Sequence, residues 1–199
     1  MERASEPLND QTVPVISLRL APGERASWDR PFIFVALWSV VELVLVTNPW
    51  QISSRLRVWA LRRFGADIEP GVVYRPRTRV RFPWKLRIGA DSWIGEGVWI
   101  HNQAEVSIGH DVVISQETFI TTGSHAYRKD MALLTRPVVI GDGAWITSRS
   151  MVTGGVRIGR SALVRPMSLV SDSIPENAVY GGNPAIQVGW RFPRPENNR

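Results

Sequence analysis

The chain has 199 residues, 44% of them hydrophobic, which allows one main folded domain with an appendage. It contains no cysteine, and this excludes a disulfide framework and thiolate chemistry. The formal net charge of +6 favours anionic partners such as phosphate groups or a membrane surface. Nucleic acid is not an expected partner, because neither an aromatic-interleaved groove nor a recognition motif accompanies the charge.

Residues 1–30 are predicted to form an extended arm. The stretch contains Pro7, Pro14 and Pro22 and shows little hydrophobic periodicity. It also lacks a basic segment leading into an apolar run, so no secretory signal is expected. The cytoplasm is therefore the default location.

Residues 31–66 are predicted to form a helical extension of two helices. Pro31 suits a first helical turn, and Gly65 suits the end of the second helix. The apolar run 32–46 is too short to span a bilayer comfortably. We expect this run to pack on the end of the following domain or between protomers. A second interpretation places it as a peripheral contact on the inner face of the membrane, near a lipid-linked saccharide.

Four arginines follow the second helix and alternate with other residue types. The alternation predicts one charged strand face, which would protect a sheet end from pairing with another chain. The other interpretation is attraction of phosphate groups from a lipid or a substrate. The four residues are Arg75, Arg77, Arg79 and Arg81.

A six-residue repeat dominates the chain from Ile88 to Pro175. Ile and Val together make up only 38 of the 199 residues, so chance does not explain their return at every sixth place. A period of six indicates a parallel β-helix, in which each hexad buries its apolar side chain against the hexads above and below. The repeated positions are Ile88, Ile94, Ile100, Ile108, Ile114, Ile120, Ile140, Ile146, Val152, Ile158, Val164 and Val170.

Three hexads close one triangular coil, so the repeat predicts a mainly β solenoid of about five coils within residues 67–176. Residues 177–199 form a C-terminal segment and tail. Glycines that directly follow the Ile, as at Gly89 and Gly159, are expected to serve turns with unusual backbone angles. All interruptions of the repeat leave from the same corner, and the longest begins directly after His125. The predicted coils are 68–85, 88–105, 108–125, 140–157 and 158–175.

The hexad ladder, the run Thr122-Gly123-Ser124-His125 and the closing run Tyr180-Gly181-Gly182-Asn183-Pro184-Ala185 resemble the hexapeptide-repeat acyltransferases, in particular the acetyltransferases of colanic-acid-biosynthesis type. The resemblance covers about residues 28 to 190. It implies a left-handed coil, which is an exception to the usual right-handed crossover. It also implies a homotrimer with shared sites. The implied activity is O-acetyl transfer from acetyl-CoA to a sugar hydroxyl in surface-polysaccharide synthesis.

His125 is the candidate general base. Transfer of an acyl group from a thioester needs a base that takes the proton of the acceptor hydroxyl, and neutral histidine suits this task. The long excursion beside His125 is expected to form one wall of a cleft. The alternative is a surface histidine that caps a turn. The setting Thr-Gly-Ser-His at this corner, together with the resemblance, favours the catalytic role.

Other site residues come from the resemblance. Asn102 matches the asparagine that orients the acceptor, although it could instead be a turn asparagine that satisfies backbone groups. Ser148 matches the position whose backbone N–H stabilises the oxyanion. Trp145 matches the position beside the pantetheine arm, although it could equally be surface packing. Because these last two residues lie on a different coil face from His125, neighbouring protomers would complete each site.

The donor side departs from the family pattern. Thr147 stands where the family usually has Gly, and Arg165-Pro166-Met167 replaces a small Gly-Ala-Gly stretch. Pro166 would stack on the face of Ser148, where it narrows the groove and supplies no N–H. Asp172 replaces a lysine near the coenzyme phosphates. The arginines at 149, 160 and 165 are candidates to compensate for that loss.

These departures leave other functions open. One is an acyltransferase with a different acyl-CoA donor, and another is a non-catalytic scaffold of a polysaccharide assembly with a degraded donor site. A third is the zinc-dependent carbonic anhydrase that shares this fold. However, the spacing of His101, His110 and His125 does not present three ligands to one metal, so no metal is expected.

Overall fold

The computed structural model describes residues 13–193. Two short 3-10 turns, Leu18–Leu20 and Glu24–Ser27, precede helix α1 (Phe32–Val41), a π-helical turn (Glu42–Thr47) and helix α2 (Ser54–Arg63). The parts of the predicted arm and tail at residues 1–12, which include Pro7, and 194–199 lie outside the described residues.

Nineteen short strands follow the helices within residues 13–193. A further 3-10 turn, Pro83–Lys85, lies between the third and fourth strands. The strands are β1 (Asp67–Ile68), β2 (Val73–Tyr74), β3 (Arg79–Val80), β4 (Leu86–Ile88), β5 (Trp93–Ile94), β6 (Trp99–His101), β7 (Val106–Ile108), β8 (Val113–Ile114), β9 (Phe119–Thr121), β10 (Gly123–His125), β11 (Leu133–Thr135), β12 (Val138–Ile140), β13 (Trp145–Ile146), β14 (Met151–Val152), β15 (Arg157–Ile158), β16 (Leu163–Val164), β17 (Leu169–Val170), β18 (Ala178–Gly181) and β19 (Ile186–Trp190).

Three parallel sheets form the sides of a triangular solenoid. Sheet A has the order β1-β4-β7-β12-β15 and sheet C the order β3-β6-β9-β14-β17. Sheet B runs β2-β5-β8-β13-β16 and continues into β18 and β19. Since successive strands belong to successive sheets, each coil contributes one strand to each side. The fold is the predicted left-handed parallel β-helix with an N-terminal helical region.

The hexad ladder forms the core of the solenoid. All twelve predicted positions lie in strands and are at most 4% exposed. The weaker first coil is confirmed as well, because Ile68, Tyr74 and Val80 are buried and align with the ladder above them. Full burial of each large apolar side chain contributes about 1.5–3 kcal/mol, so the continuous ladder stabilises strands that are only two or three residues long.

The reason predicted for the repeated glycines is wrong. Gly89 and Gly159 do not have φ in the left-handed region. A Cβ on them would instead lie 2.5 Å from the His110 nitrogen and 2.3 Å from the Glu176 nitrogen of the next turn of chain. These glycines therefore permit close stacking of the coils. The left-handed conformation falls two places later in the hexad, at Gly71, Arg77, Asp91, Gly97, Asp111, Glu117, Gly143, Arg149, Gly155, Ser161 and Met167.

The two helices close the N-terminal end of the solenoid. Trp38 and Leu61 are buried in the same cluster as the ladder residues of the first coil, and Val35 is buried as well. Trp38 Nε1 donates to the carbonyl of Val80 at 2.9 Å, and Ser53 caps α2 by accepting from a backbone N–H of its first turn. The apolar run 32–46 thus packs on the end of the solenoid, which was the first of its two predicted environments.

At the opposite end, a β-hairpin extends sheet B. Strand β18 pairs in parallel with β16 and antiparallel with β19. Strand β19 therefore takes the outer position on this sheet. The closing run 180–185 supplies the turn between β18 and β19.

The four arginines do not share one strand face as predicted. Arg75 follows β2, Arg77 lies in the turn with φ of 60°, and Arg79 begins β3. They therefore wrap the corner between sheets B and C. The Arg79 guanidinium stands 5.5 Å from the centre of the Trp99 ring, and Arg81 forms an ion pair with Glu24.

Candidate active site

The excursion that carries His125 is an antiparallel β-hairpin. Strand β10 pairs with β11, and His125 lies opposite Leu133. The Arg136 N–H donates to the carbonyl of Thr122 at 2.9 Å and closes the base of the hairpin. The excursion thus begins at Gly123. The hexad spacing predicts His125 as the last residue of a coil, but in the structure it belongs to the hairpin.

The imidazole of His125 is exposed and oriented by the hairpin loop. Its Nδ1 lies 2.8 Å from the carbonyl oxygen of Met131. Because a carbonyl oxygen only accepts hydrogen bonds, Nδ1 carries the proton in the neutral ring. Nε2 is then unprotonated and points its lone pair away from this contact. This is the tautomer that a general base requires.

A cavity of about 550 Å³ opens beside His125. The hairpin forms one wall, as predicted for the excursion, and the next coil forms another. Its size falls in the range of pockets that hold small molecules. The lining residues are Thr121, Thr122, Gly123, Ser124, His125, Tyr127, Leu134, Arg136, Met151, Thr153, Gly154 and Ser171.

Gly123 fixes the start of the hairpin against the coil below. A Cβ at this position would lie 2.1 Å from Gln103 Oε1, and Gln103 is only 6% exposed. The hydroxyl of Thr122 accepts from the Ala104 N–H at 2.8 Å. The close contact of Gly123 with Gln103 could not be predicted from the sequence, because only the stacking of the coils brings the two residues together.

Asn102 makes the contacts of a turn asparagine in this structure, and its acceptor-orienting role stays a prediction. Its side chain is fully buried, donates to the carbonyls of Phe82 (2.7 Å) and Lys85 (3.2 Å), and accepts from the Phe82 N–H at 3.0 Å. It does not line the cavity beside His125. The geometry matches the alternative, a turn asparagine that satisfies backbone groups.

The predicted donor residues gather at the corner between sheets B and C. Trp145 is 39% exposed, and its Nε1 donates to Ser115 Oγ at 3.0 Å. Ser148 Oγ donates to Gln116 Oε1 at 3.1 Å. The backbone N–H of Ser148 has no hydrogen-bond partner within residues 13–193, so it is available to an incoming oxyanion. Ser115 and Gln116 also line a cavity of about 290 Å³ on sheet B.

Thr147 and Pro166 lie at this corner in adjacent coils. The Thr147 hydroxyl donates to the carbonyl of Val164 at 2.6 Å. The Met167 N–H donates to the carbonyl of Ser148 at 3.1 Å, which places the exposed Pro166 in the coil directly above Ser148, as predicted. Pro166 itself offers no N–H to a ligand.

The three candidate arginines are not equivalent. Arg149 Nε lies 2.6 Å from Glu117 Oε2, and this hydrogen bond raises the pKa of the guanidinium. Arg160 and Arg165 form no salt bridge with any described residue. Arg149 already has a carboxylate partner, so Arg160 and Arg165 are the stronger candidates for a phosphate contact.

One protomer does not bring the two halves of the predicted site together. His125 leaves the corner between sheets C and A, whereas Ser148 lies at the corner between sheets B and C. Trp145, Thr147, Ser148 and Pro166 are all absent from the walls of the His125 cavity.

The three histidines lie in separate surroundings. His101 stands edge-on to the Trp99 ring, and its burial lowers its pKa. His110 Nδ1 lies 2.7 Å from Asp111 Oδ2, and this hydrogen bond raises the pKa of the imidazole. Within residues 13–193, no group of three or more His, Cys, Asp or Glu side chains could hold a metal ion.

Comparison with known proteins places the chain. No family model matches the sequence. An Escherichia coli K12 protein named "Putative colanic acid biosynthesis acetyltransferase WcaF" is 37% identical over 160 residues, which cover 80% of this chain and 88% of that protein. The chain belongs to the hexapeptide-repeat acetyltransferases. The galactoside O-acetyltransferase of the same organism is 31% identical over 142 residues, covering 69% of each chain.

Solved structures show the same fold. A hexapeptide-repeat acetyltransferase from Vibrio cholerae O1 biovar eltor, in complex with acetyl coenzyme A, superposes with a TM-score of 0.73 at 23% identity and covers 81% of this chain and 88% of that one. A galactoside acetyltransferase in complex with coenzyme A gives a TM-score of 0.71 at 18% identity, covering 87% and 84%.

Proposed function

We propose that this acetyltransferase moves an acetyl group from acetyl-CoA to a sugar hydroxyl in surface-polysaccharide synthesis, with His125 as the general base. The observation that carries the proposal is the contact between His125 Nδ1 and the Met131 carbonyl at the edge of a 550 Å³ cavity. That contact leaves Nε2 free to accept a proton. The relatives named for colanic acid biosynthesis and for galactoside acetylation favour a saccharide acceptor.

The reaction follows from these groups. Nε2 of His125 takes the proton of the acceptor hydroxyl while its oxygen attacks the thioester carbonyl carbon. The negative charge that forms on the carbonyl oxygen is stabilised by the Ser148 N–H. Collapse of the intermediate breaks the carbon–sulfur bond, and the departing thiolate receives the proton from Nε2. The Met131 carbonyl stabilises the imidazolium between the two proton transfers.

A homotrimer would supply the missing half of each site. The outward rows of sheets B and C are largely apolar, whereas the outward row of sheet A is mostly polar or charged. Two apolar sides on one triangular solenoid support contact with two neighbours, and a site shared between His125 of one protomer and Ser148 of another would need such contacts. The outward rows are Val73, Trp93, Val113, Trp145 and Leu163 on sheet B, Arg79, Trp99, Phe119, Met151 and Leu169 on sheet C, and Asp67, Arg87, Ser107, Val139 and Arg157 on sheet A.

We place the protein in the cytoplasm, in peripheral contact with the inner face of the membrane, where a lipid-linked saccharide would be its acceptor. No helix within residues 13–193 has the length and apolar character to cross a bilayer. The contact would therefore be made by a surface of the folded protein.

Pro166 and Asp172 favour a second candidate, in which the donor is a different acyl-CoA or the protein is a scaffold with a degraded donor site. Pro166 is exposed in the coil above Ser148 and offers no N–H to a donor, and Asp172 is exposed with a charge that repels phosphate. An acyl-CoA with another acyl chain would use the same His125 and Ser148.

Calorimetric titration with acetyl-CoA, with free coenzyme A as control, separates these functions. We expect saturable binding at one site per protomer, followed by acetylation of a saccharide acceptor that mass spectrometry detects. Binding of a longer acyl-CoA in preference to acetyl-CoA would change the donor. Absence of binding to every acyl-CoA would leave the scaffold function.

A further inference from the structure

Helix α1 has a fully apolar side that nothing in the described chain covers. Ile33, Leu37 and Val40 of α1 are 79%, 53% and 60% exposed, and Val44 continues their spacing in the π-helical turn with 51% exposure. The opposite side of the same helix packs on the first coil. A helix that is apolar all round is normally buried on every side, so the exposed side calls for a partner.

The apolar surface continues beyond α1. Trp50 and Ile52, in the connection to α2, are each 89% exposed, and Trp59 on α2 is also exposed. Both helices lie across the first coil, so their outer sides face away from the solenoid. Tryptophan is enriched at the boundary between water and lipid, because its ring is apolar and its N–H is polar.

The charge of this end is strongly positive. Residues 30–66 contain five arginines and one acidic residue, Glu42. Glu42 turns inward to accept from the Val80 N–H, and burial raises its pKa. Arg55 and Arg63 are exposed on the same side of α2 as Trp59. Long arginine side chains can keep their charge at headgroup level while their stems cover apolar surface.

The positive charge of this surface distinguishes two possible partners, a second copy of the chain and an anionic bilayer. A second copy that used the same surface in a two-fold contact would place arginines against arginines, with no exposed carboxylate from residues 30–66 to pair with them. Anionic lipid headgroups complement the arginines, and the acyl region accepts the apolar side chains.

We propose that the outer side of the N-terminal cap, formed by α1, the connection through Trp50 and Ile52, and α2, is a docking surface for an anionic bilayer. This proposal rests on the peripheral membrane contact proposed above and names the residues that make it. It does not depend on acetyl transfer. Neighbouring strands lie about 4.8 Å apart, so the third coil, from which the His125 hairpin leaves, stands about 10 Å beyond the first. Docking would therefore hold the cavity close to the headgroups.

Vesicle flotation tests the proposal. The full chain is mixed with vesicles of phosphatidylcholine alone or of phosphatidylcholine with phosphatidylglycerol. We expect binding to the anionic vesicles, weakened by added salt. The double variant Ile33→Glu/Leu37→Glu should lower the partition coefficient by about tenfold or more, because it places charge in the apolar contact. Both side chains are exposed, so the fold should persist.

The matched control is Ile186→Glu/Val188→Glu, which changes two exposed apolar residues on β19 at the other end of the solenoid. It should bind vesicles as the parent does. Failure of the parent to float, or equal flotation of both double variants, would overturn the proposal. A third outcome is that the parent does not bind vesicles and that Ile33→Glu/Leu37→Glu loses an oligomer seen by light scattering. That outcome would assign the surface to contact with a second copy of the chain. Coenzyme A titration of the same variants shows separately whether the donor site is intact.

Discussion

The corner that carries His125 and the corner that carries Ser148 differ in how their polar groups are engaged. At the first, a hairpin leaves the solenoid, fixes one imidazole nitrogen on Met131 and leaves the other open beside a large cavity. At the second, the chain stays within the hexad repeat, and side chains pair between coils while Pro166 stands over Ser148. The geometry that departs from the repeat is therefore concentrated at the proposed acceptor corner, whereas the proposed donor corner keeps the geometry of the coils.

Replacing His125 by alanine should have the largest effect. We expect turnover to fall by about a hundredfold or more, because no described side chain at this corner replaces the base. Steady-state kinetics gives turnover, and titration should show that coenzyme A still binds. The matched control, His110→Ala, removes an exposed histidine at another corner and should leave turnover unchanged. Loss of assembly in His125→Ala, seen by light scattering, would point to a structural role instead.

Gly123→Ala should disturb the proposed acceptor corner by displacing His125, without removing any catalytic group. The new Cβ would meet Gln103 Oε1, so the hairpin must shift and carry His125 with it. A displacement of about 1 Å is enough to lower turnover by about tenfold or more, without a change in coenzyme A affinity. Gly189→Ala is the control, because nothing lies within 4 Å of its new Cβ. The second change Gln103→Ala should restore part of the turnover; no recovery would argue against this contact.

Trp145→Ala should affect only the donor corner. Removing the half-exposed ring should weaken acetyl-CoA binding by about tenfold, because the pantetheine arm loses apolar contact area worth about 25 cal/mol per Å². Turnover at saturating donor should stay close to that of the parent. Titration calorimetry measures the affinity, and Trp50→Ala, in the connection between the two helices, serves as the control. An unchanged affinity would assign Trp145 to surface packing.

Pro166→Ala should have the smallest effect and the opposite sign. Alanine removes the ring that narrows the groove and adds one N–H above Ser148, so acetyl-CoA should bind about twofold to fivefold more tightly. The same titration measures it. Weaker binding would mean that the proline ring packs against the donor.

The fold was predictable because burial repeats. Each Ile or Val of the ladder stacks on a buried residue of an adjacent coil, so a single period describes the whole core. The hairpin lies outside this repeat, and its loop gives no periodic signal. For that reason the contact of His125 with Met131 could not be predicted, although the break in the repeat did mark the corner from which the hairpin leaves.

Asn102 and the glycines show a second limit. A spacing argument places Asn102 one coil below His125, but only the packed structure shows that its amide is consumed by Phe82 and Lys85. Gly89 likewise reads as a turn residue in the sequence. Its function depends on the coil above, which the sequence places eighteen or more residues away.

The N-terminal cap lies on the end of the solenoid and not on one of its three sides. In a homotrimer with the solenoid axes parallel to the three-fold axis, all three caps face the same way. Contacts that are individually weak then become linked, and the effective concentration of the second and third caps at the bilayer rises into the millimolar range, about 10⁻³ M, typical of tethered sites. Residence on the membrane would then depend on assembly, so the monomer would exchange freely and the trimer would be retained.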